Sequence, residues 1–345
     1  MKNNLINIIS DSLKKTELSD IKNDFSNLLF EIRKSKKKDV LVTDISIKKD
    51  FLIGEINQIL ETHTLERTKY YIKRLMKSLT ETKHNKINDL NLNRWKEYDD
   101  IITDSLWILS KRDSSGVHHA GYWGNFIPQI PNQLLRRYTK KGEWILDPFL
   151  GSGTTLIEAQ RLGRNAVGVE LSKKVLNQTK KTISKEKNPY SIKLKFLNED
   201  SSEVNLKKHL DEFGIKSFQF QIYHPPYWDI IKFSNNKSDL SNAKSLNDFL
   251  TKFGKVLDTC LPYLDKKRFV AVVIGDKYSD GEWIPLGFYV MQEFIKRGMI
   301  LKSTIVKNFD ETTAKRNQKE LWRYRALAGG FYVFKHEYIF IFQKK

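Results

Sequence analysis

Two stretches of the chain carry residue types whose spacing could do chemistry. The first is Trp144-Ile145-Leu146-Asp147-Pro148-Phe149-Leu150-Gly151-Ser152-Gly153-Thr154-Thr155, and the second, downstream, is His224-Pro225-Pro226-Tyr227-Trp228. In the first, an apolar run breaks into a glycine turn and resumes as the amphipathic Leu156–Leu162. That pattern is strand, nucleotide-cradling turn, helix, the first half of a nucleotide-binding βαβ unit. Gly151 and Gly153 permit the positive φ and close backbone approach of such a turn, and Thr154 and Thr155 can cap the helix. No Lys follows the glycines, and Leu156 stands where a dinucleotide fingerprint has its third glycine, so ATP and NAD are disfavoured as ligands. Gly163 stops the helix. A second strand, Ala166–Glu170, ends in an acid 23 positions after Asp147. A carboxylate there accepts hydrogen bonds from both hydroxyls of a ribose.

These residues must be held by further elements. The apolar Phe218–Tyr223 run leads into the Pro-Pro pair, so the prolines stiffen a loop at a strand's carboxyl end, where open α/β sheets bind ligands. A third strand, Ile192–Leu197, runs into Asn198-Glu199-Asp200. Asp200 can serve a ligand or, with Ser201 and Ser202 after it, cap a helix. Ser245 with Asp248 three positions on predicts an N-cap, opening a helix whose apolar face includes Phe249, Phe253, Leu257 and Cys260. Phe269–Asp276 then predicts a buried strand, Leu286–Arg297 a helix stopped by Gly298, Ile300–Val306 a strand, and Glu337–Phe342 the last strand.

Together the two chemical stretches resemble the S-adenosylmethionine-dependent DNA amino-methyltransferases, which methylate the exocyclic N4 of cytosine or N6 of adenine. The resemblance spans about residues 115–345. It implies an α/β fold, a doubly wound Rossmann-like methyltransferase sheet with an antiparallel last strand. It also implies S-adenosylmethionine as cofactor, held by Asp147, Phe149, Gly151, Ser152, Gly153, Thr154, Thr155, Glu170 and Leu171. In the family, an Asp at the position of Asp200 receives the adenine amino group. Ser114–Pro131 resembles the segment that closes over the methionine end, with Phe126, Ile127 and Pro128 as its candidates.

An exocyclic amino group is a poor nucleophile because its lone pair is delocalised into the ring, so catalysis needs acceptors on its two N–H bonds and in-line placement. The resemblance implies that His224 and the carbonyl of Pro225 accept those bonds, that Pro226 stiffens the loop, and that Tyr227 stacks on the flipped base. The family usually has Ser, Asp or Asn where this chain has His224. Neutral imidazole offers one acceptor nitrogen and the protonated ring none, so activity should fall as pH drops through its pKa. The absent acid and the following Trp228 tilt the target from adenine to cytosine.

The formal net charge is +19, which favours a polyanionic partner, and double-stranded DNA is the one expected. Residues 1–110 hold 20 Lys+Arg against 17 Asp+Glu, leaving 40 against 24 for 111–345, so the basic excess lies with the motifs. Asp310–Gly330 is basic with interleaved aromatics and a Gly329-Gly330 hinge. Lys315, Arg316, Trp322, Arg323 and Arg325, with Trp228, are the candidate DNA contacts. Residues 1–110 read as a mainly helical accessory region, from Leu5–Leu13, Ile21–Ile32 and the basic Tyr70–Lys77, with Arg33–Asp39 as an exposed connector. They are either a DNA-contacting or dimerising region or a cap on the methyltransferase domain of 111–345. No metal site is expected: His118-His119 has no further ligand at suitable spacing. The single Cys260 excludes a disulfide framework, and no apolar run reaches membrane-spanning length, which predicts a cytoplasmic protein without a membrane partner. A restriction-modification role would add a cognate endonuclease and leave a homodimer open. A silent DNA-binding protein and an RNA methyltransferase are the competing functions.

Overall fold

The structure is a computed structural model describing residues 4–42, 45–119, 121–309 and 319–345. It divides into two compact units, Met1–Ile101 and Ile102–Lys345.

In the first unit, helices α1 (Asn4–Lys14), α2 (Leu18–Lys34), α3 (Lys49–Leu60) and α4 (Leu65–Thr80) enclose one core that includes Ile9, Ile21, Phe25, Ile56 and Leu75. The apolar residues recur every three or four positions, so each helix turns one stripe inward. The mainly helical region expected from sequence has one addition. Strands β1 (Asp39–Val42) and β2 (Ile45–Lys48) form an antiparallel hairpin in the register Val40↔Ile47, with Val42 and Ile47 buried. The expected connector Arg33–Asp39 is therefore shorter, since α2 runs to Lys34 and Asp39 opens β1.

In the second unit the chain runs β3 (Leu106–Trp107), α5 (Gln129–Tyr138), β4 (Trp144–Asp147), α6 (Thr154–Leu162), β5 (Asn165–Val169), α7 (Lys173–Ile183) and β6 (Leu194–Leu197). It continues with α8 (Leu206–Phe213), β7 (Phe218–Tyr223), α9 (Leu246–Cys260), β8 (Leu264–Ile274) and a small hairpin of β9 (Lys277–Ser279) and β10 (Glu282–Ile284). The last elements are α10 (Leu286–Lys296), β11 (Ile300–Asn308), α11 (Lys319–Gly329) and β12 (His336–Gln343).

Eight strands form one sheet in the order β3-β11-β12-β8-β7-β4-β5-β6. Strands β6, β5, β4, β7 and β8 are parallel, and β12 lies antiparallel between β8 and β11. This is the doubly wound, Rossmann-like methyltransferase sheet with its antiparallel last strand. Strand β3 is an addition at the edge, and its parallel pairing with β11 joins residues 106–107 to this unit.

Alternation along each strand covers both faces. Leu146, Val270, Val272, Phe340 and Phe342 share a core with Phe253 and Leu257 of α9 and with Phe294 of α10. The intervening Ile145, Ala271, Val273, Ile339 and Ile341 are equally buried and face the other way. Tyr138 of α5 covers that side, its ring 5.9 Å from Phe220 and 4.7 Å from Phe269. Helix α9 starts where the sequence predicts. Ser245 Oγ accepts from Asp248 N–H, and Asp248 Oδ2 accepts from Lys244 N–H.

Strand order reverses at β4, which lies between β5 and β7. Ligands of open α/β sheets bind outside the carboxyl ends of the strands at such a switch point. Both chemical stretches emerge there, after β4 and after β7.

Candidate active site

The turn after β4 is shaped by its glycines. Gly151 (φ +49) and Gly153 (φ +79) are left-handed, a region that side-chain-bearing residues rarely enter. A Cβ on Gly153 would also lie 2.6 Å from Thr179 Cγ2 and 2.7 Å from Ile183 Cδ1, so α7 packs directly on the turn. Gly153 is itself the N-cap of α6 and no side chain caps the helix, so neither Thr154 nor Thr155 has the capping role expected of it; both are already helical.

Glu170, just past β5, binds the same turn. Its Oε2 accepts from Gly151 N–H (2.9 Å) and its Oε1 from Ser172 N–H (2.8 Å). Each oxygen keeps a further lone pair, as a diol ligand requires. Burial raises its pKa above the usual carboxylate value. Burial also pushes Asp147 up to about 6, although it accepts a hydrogen bond from Phe149 N–H. Phe149 connects cleft to core, its ring 6.3 Å from Phe253 and 6.2 Å from Tyr223.

A partly open cleft lies over these residues. Asp147, Phe149, Gly151, Ser152, Thr154, Thr155, Glu170, Leu171 and Asp200 line it, as do Phe126, His224, Pro225 and Pro226. Ile127, Pro128, Gly153 and Tyr227 are not among its lining residues. Pro128 instead precedes α5 as its N-cap, and Gly153 lies beneath the turn. Asp200 both lines the cleft and holds a local turn, its Oδ1 accepting from Ser202 N–H (2.9 Å) and Ser202 Oγ (2.8 Å).

Several cleft residues carry no sequence motif of their own. Tyr122 lies over Gly151, with a ring carbon 3.2 Å from where a Cβ would be, and its ring stacks with Phe233 at 6.1 Å. Asn125 Nδ2 donates to Ser152 Oγ (3.1 Å). Arg112 fastens this segment by donating to the carbonyls of Phe126 (3.2 Å) and His119 (3.3 Å). Asp239 also lines the cleft, buried and accepting from Ser234 Oγ (2.7 Å) and Ser241 Oγ (2.7 Å). Only the segment 114–131 had a detectable signal, its density of Gly and aromatic residues.

Electrostatically the cleft is one-sided. Four carboxylates line it (Asp147, Glu170, Asp200 and Asp239), and no Lys or Arg is among its described lining residues. A phosphorylated cofactor would meet four negative charges unopposed. A ligand carrying positive charge matches the sign of this lining.

The loop after β7 brings His224, Pro225 and Pro226 to the cleft. His224 is half-buried with its ring 4.7 Å from that of Phe126, and the partial loss of water holds its pKa down at about 4. The pH at which protonation would remove its acceptor nitrogen is thereby moved into the acid range. Tyr227 sits behind it. Its hydroxyl lies 3.3 Å from His224 Nε2 and donates to Glu337 Oε2 at 2.8 Å. Its ring occupies the space that a Cβ on Gly275 would fill, 2.8 Å from that position.

The candidate DNA contacts are dispersed. Trp228 takes a positive φ of 52°, donates from Nε1 to Ala243 O (2.9 Å), and lies under Lys277 Nζ at 4.1 Å. These contacts make it an anchor of the loop. Lys315 and Arg316 lie outside the described residues. Trp322, Arg323 and Arg325 lie on α11, where an irregular loop was expected; Leu321, Arg323, Arg325, Ala326 and Leu327 favour helix over the run's bulky aromatics, and Gly330 (φ +68) follows its end. Arg323 and Arg325 are exposed. The tandem histidines are structural: His118 Nε2 lies 2.6 Å from buried Glu158 Oε1, and His119 Nδ1 accepts from Gly121 N–H. Among the described residues no group of three or more His, Cys, Asp or Glu could hold a metal, and no helix is long and apolar enough to cross a membrane.

A sheet of this topology, with an acidic cleft at its switch point, has the architecture of a Rossmann-like methyltransferase. Residues 6–181, just over half of the chain, match the model of the N6/N4 methyltransferases, described as DNA methylase, and the chain belongs to that S-adenosylmethionine-dependent DNA amino-methyltransferase family. S-adenosylmethionine is accordingly its cofactor. The chain is 28% identical over 208 residues to Type II methyltransferase M.MjaII of Methanocaldococcus jannaschii, covering 59% of this chain and 32% of that protein. It is 36% identical over 99 residues to Type II methyltransferase M2.DpnII of Streptococcus pneumoniae, covering 28% and 34%. It is also 26% identical over 242 residues to a protein of Methanocaldococcus jannaschii provisionally named a ribosomal RNA large subunit methyltransferase, covering 67% and 56%. The first two matches each span about a third of the relative's length.

Proposed function

We propose that this chain transfers a methyl group from S-adenosylmethionine to the exocyclic amino group of a base flipped out of double-stranded DNA. Cytosine N4 is the favoured target, because His224 stands where the resemblance associates a carboxylate with adenine. The observation that carries the reading is the four-carboxylate cleft, with no Lys or Arg among its described lining residues, which opens onto His224 and the Pro-Pro loop. When bound, the cofactor supplies an electrophilic methyl group on a cationic sulfur.

The chain's own residues do the rest. Glu170 accepts from the ribose hydroxyls and Asp200 from the adenine amino group, while Asp147 faces the methionine end. Gly151 permits close approach of the backbone, and Phe126 and Tyr122 exclude water. His224, neutral through partial burial, and the Pro225 carbonyl accept the two N–H bonds of the amine as it becomes nucleophilic. Arg323 and Arg325 of α11 supply exposed charge for phosphates. The Type II names of the relatives support a place as the modification half of a restriction system with a cognate endonuclease.

Purified chain, labelled S-adenosylmethionine and unmethylated genomic DNA, followed by nucleoside mass spectrometry, test this. N4-methylcytosine is expected, and N6-methyladenine would keep the enzyme and change the base. The likeness to the ribosomal RNA enzyme makes ribosomal RNA the control. Label in RNA alone would overturn the DNA substrate, and no methylated base with cofactor bound would favour a silent binding protein.

A further inference from the structure

Behind His224 lies a chain of polar groups that the reaction as described does not use. Glu337 on β12 and Lys307 on β11 are direct cross-strand partners in the sheet register. Their side chains are nearly buried, with Lys307 Nζ 3.1 Å from Glu337 Oε1. Glu337's other oxygen accepts the Tyr227 hydroxyl at 2.8 Å, and that hydroxyl lies 3.3 Å from His224 Nε2. A buried ion pair is an expensive way to stabilise a sheet, which directs attention to what this one holds in place.

A tyrosine hydroxyl owns one proton and two lone pairs. Once that proton is given to the Glu337 carboxylate, the oxygen can only accept from its other neighbour. The nitrogen facing it must therefore carry hydrogen. Neutral imidazole bears one proton, so a protonated Nε2 leaves the lone pair on Nδ1. Nδ1 has no partner among the described residues, and His224 lines the cleft. We infer that Glu337, pinned by Lys307, sets the tautomer of His224 through Tyr227, keeping the proton on Nε2 and the lone pair on Nδ1 for the target amine. The inference rests on the proposed role of His224 as acceptor, and it makes Tyr227, Glu337 and Lys307 positioning residues. Gly275 belongs to the device because any side chain there would displace the Tyr227 ring. Partial burial against Phe126 keeps the imidazole uncharged, so it has a tautomer to choose at neutral pH.

The test is two-bond proton–nitrogen correlation NMR on the full chain labelled with 15N-histidine, at neutral pH and without cofactor. The His224 signal is identified by its loss in His224→Asn. The expected wild-type pattern is that of the Nε2–H form. In Glu337→Gln the amide can donate to the tyrosine oxygen and release its proton toward Nε2, so the Nδ1–H form should appear. Tyr227→Phe keeps the ion pair but removes the acceptor, and should give a mixture. For both, kcat should fall by about tenfold to a hundredfold, as when an outer partner of an oriented imidazole is lost, with cofactor Kd unchanged. An Nδ1–H or charged His224 in the wild type, or a wild-type pattern retained in either variant that folds, would overturn the inference. If the tautomer shifts as expected while no nucleic acid is methylated, the proposed function fails and the tautomer control stands.

Discussion

Replacing Asp147 by Asn should make the protein more stable and a poorer binder of its cofactor. Asp147 ends β4 with only 2% of its surface exposed, and burial raises its pKa from 3.8 to about 6. At about 1.4 kcal/mol for each tenfold change in proton affinity, keeping it charged in the fold costs about 3 kcal/mol. The sign follows from a folded pKa above the unfolded one. The penalty is fully present above pH 6, shrinks as pH falls toward 3.8, and is absent below it. Asn keeps an oxygen for the Phe149 N–H and removes the charge. Thermal unfolding of the cofactor-free variant at pH 8 should therefore show a gain of up to about 3 kcal/mol, or roughly 6–12 °C for a unit of this size. The gain should disappear near pH 4. Cofactor affinity should fall by about tenfold to a hundredfold through loss of a charged partner. A variant no more stable than wild type at pH 8, or equally stabilised at both pH values, would refute the reasoning.

His224 gives a second pH test: with its pKa held down at about 4, kcat at saturating cofactor should show no histidine step between about pH 5.5 and 8. A step near 6.5 that vanishes in His224→Ser would contradict this. Glu170→Ala should weaken cofactor binding by about a hundredfold or more, since a partner of two hydroxyls and the shape of the turn are lost together; calorimetry showing unchanged affinity would remove Glu170 from the pocket. Gly153→Ala, strained at φ +79 and crowded by Thr179 and Ile183, should lower stability by about 2–4 kcal/mol, read by denaturant unfolding. A fragment of residues 102–345 should bind cofactor as tightly as the whole chain, measured by the same calorimetry.

The parts legible in sequence are those set by neighbours in the chain. The strand–turn–helix of 144–162, Glu170 at its strand end and the Ser245 cap all follow from local spacing and backbone chemistry. Phe218–Tyr223 is a strand over the predicted span because its apolar run is bounded by Ser217 and the prolines. The first hairpin escaped because Lys36–Lys38 looked like a solvated connector and its strands are four residues each. Helix α11 escaped because basic and aromatic residues before two glycines suggested a loop, although Leu, Arg and Ala dominate its interior. The rest of the site is tertiary. Phe233 and Asp239 reach the cleft from a loop without a motif. Glu337 meets Tyr227 from 110 positions away, brought there by strand pairing that no local pattern encodes.

The most direct test of the acidic switch-point cleft is titration calorimetry of the purified chain at pH 7.5 with S-adenosylmethionine, using ATP and NAD as comparators. Saturable binding of S-adenosylmethionine, weakened by about a hundredfold or more in Glu170→Ala, with no heat from either phosphorylated nucleotide, is the expected result. Binding of ATP or NAD in preference to S-adenosylmethionine would contradict the assignment of the cleft.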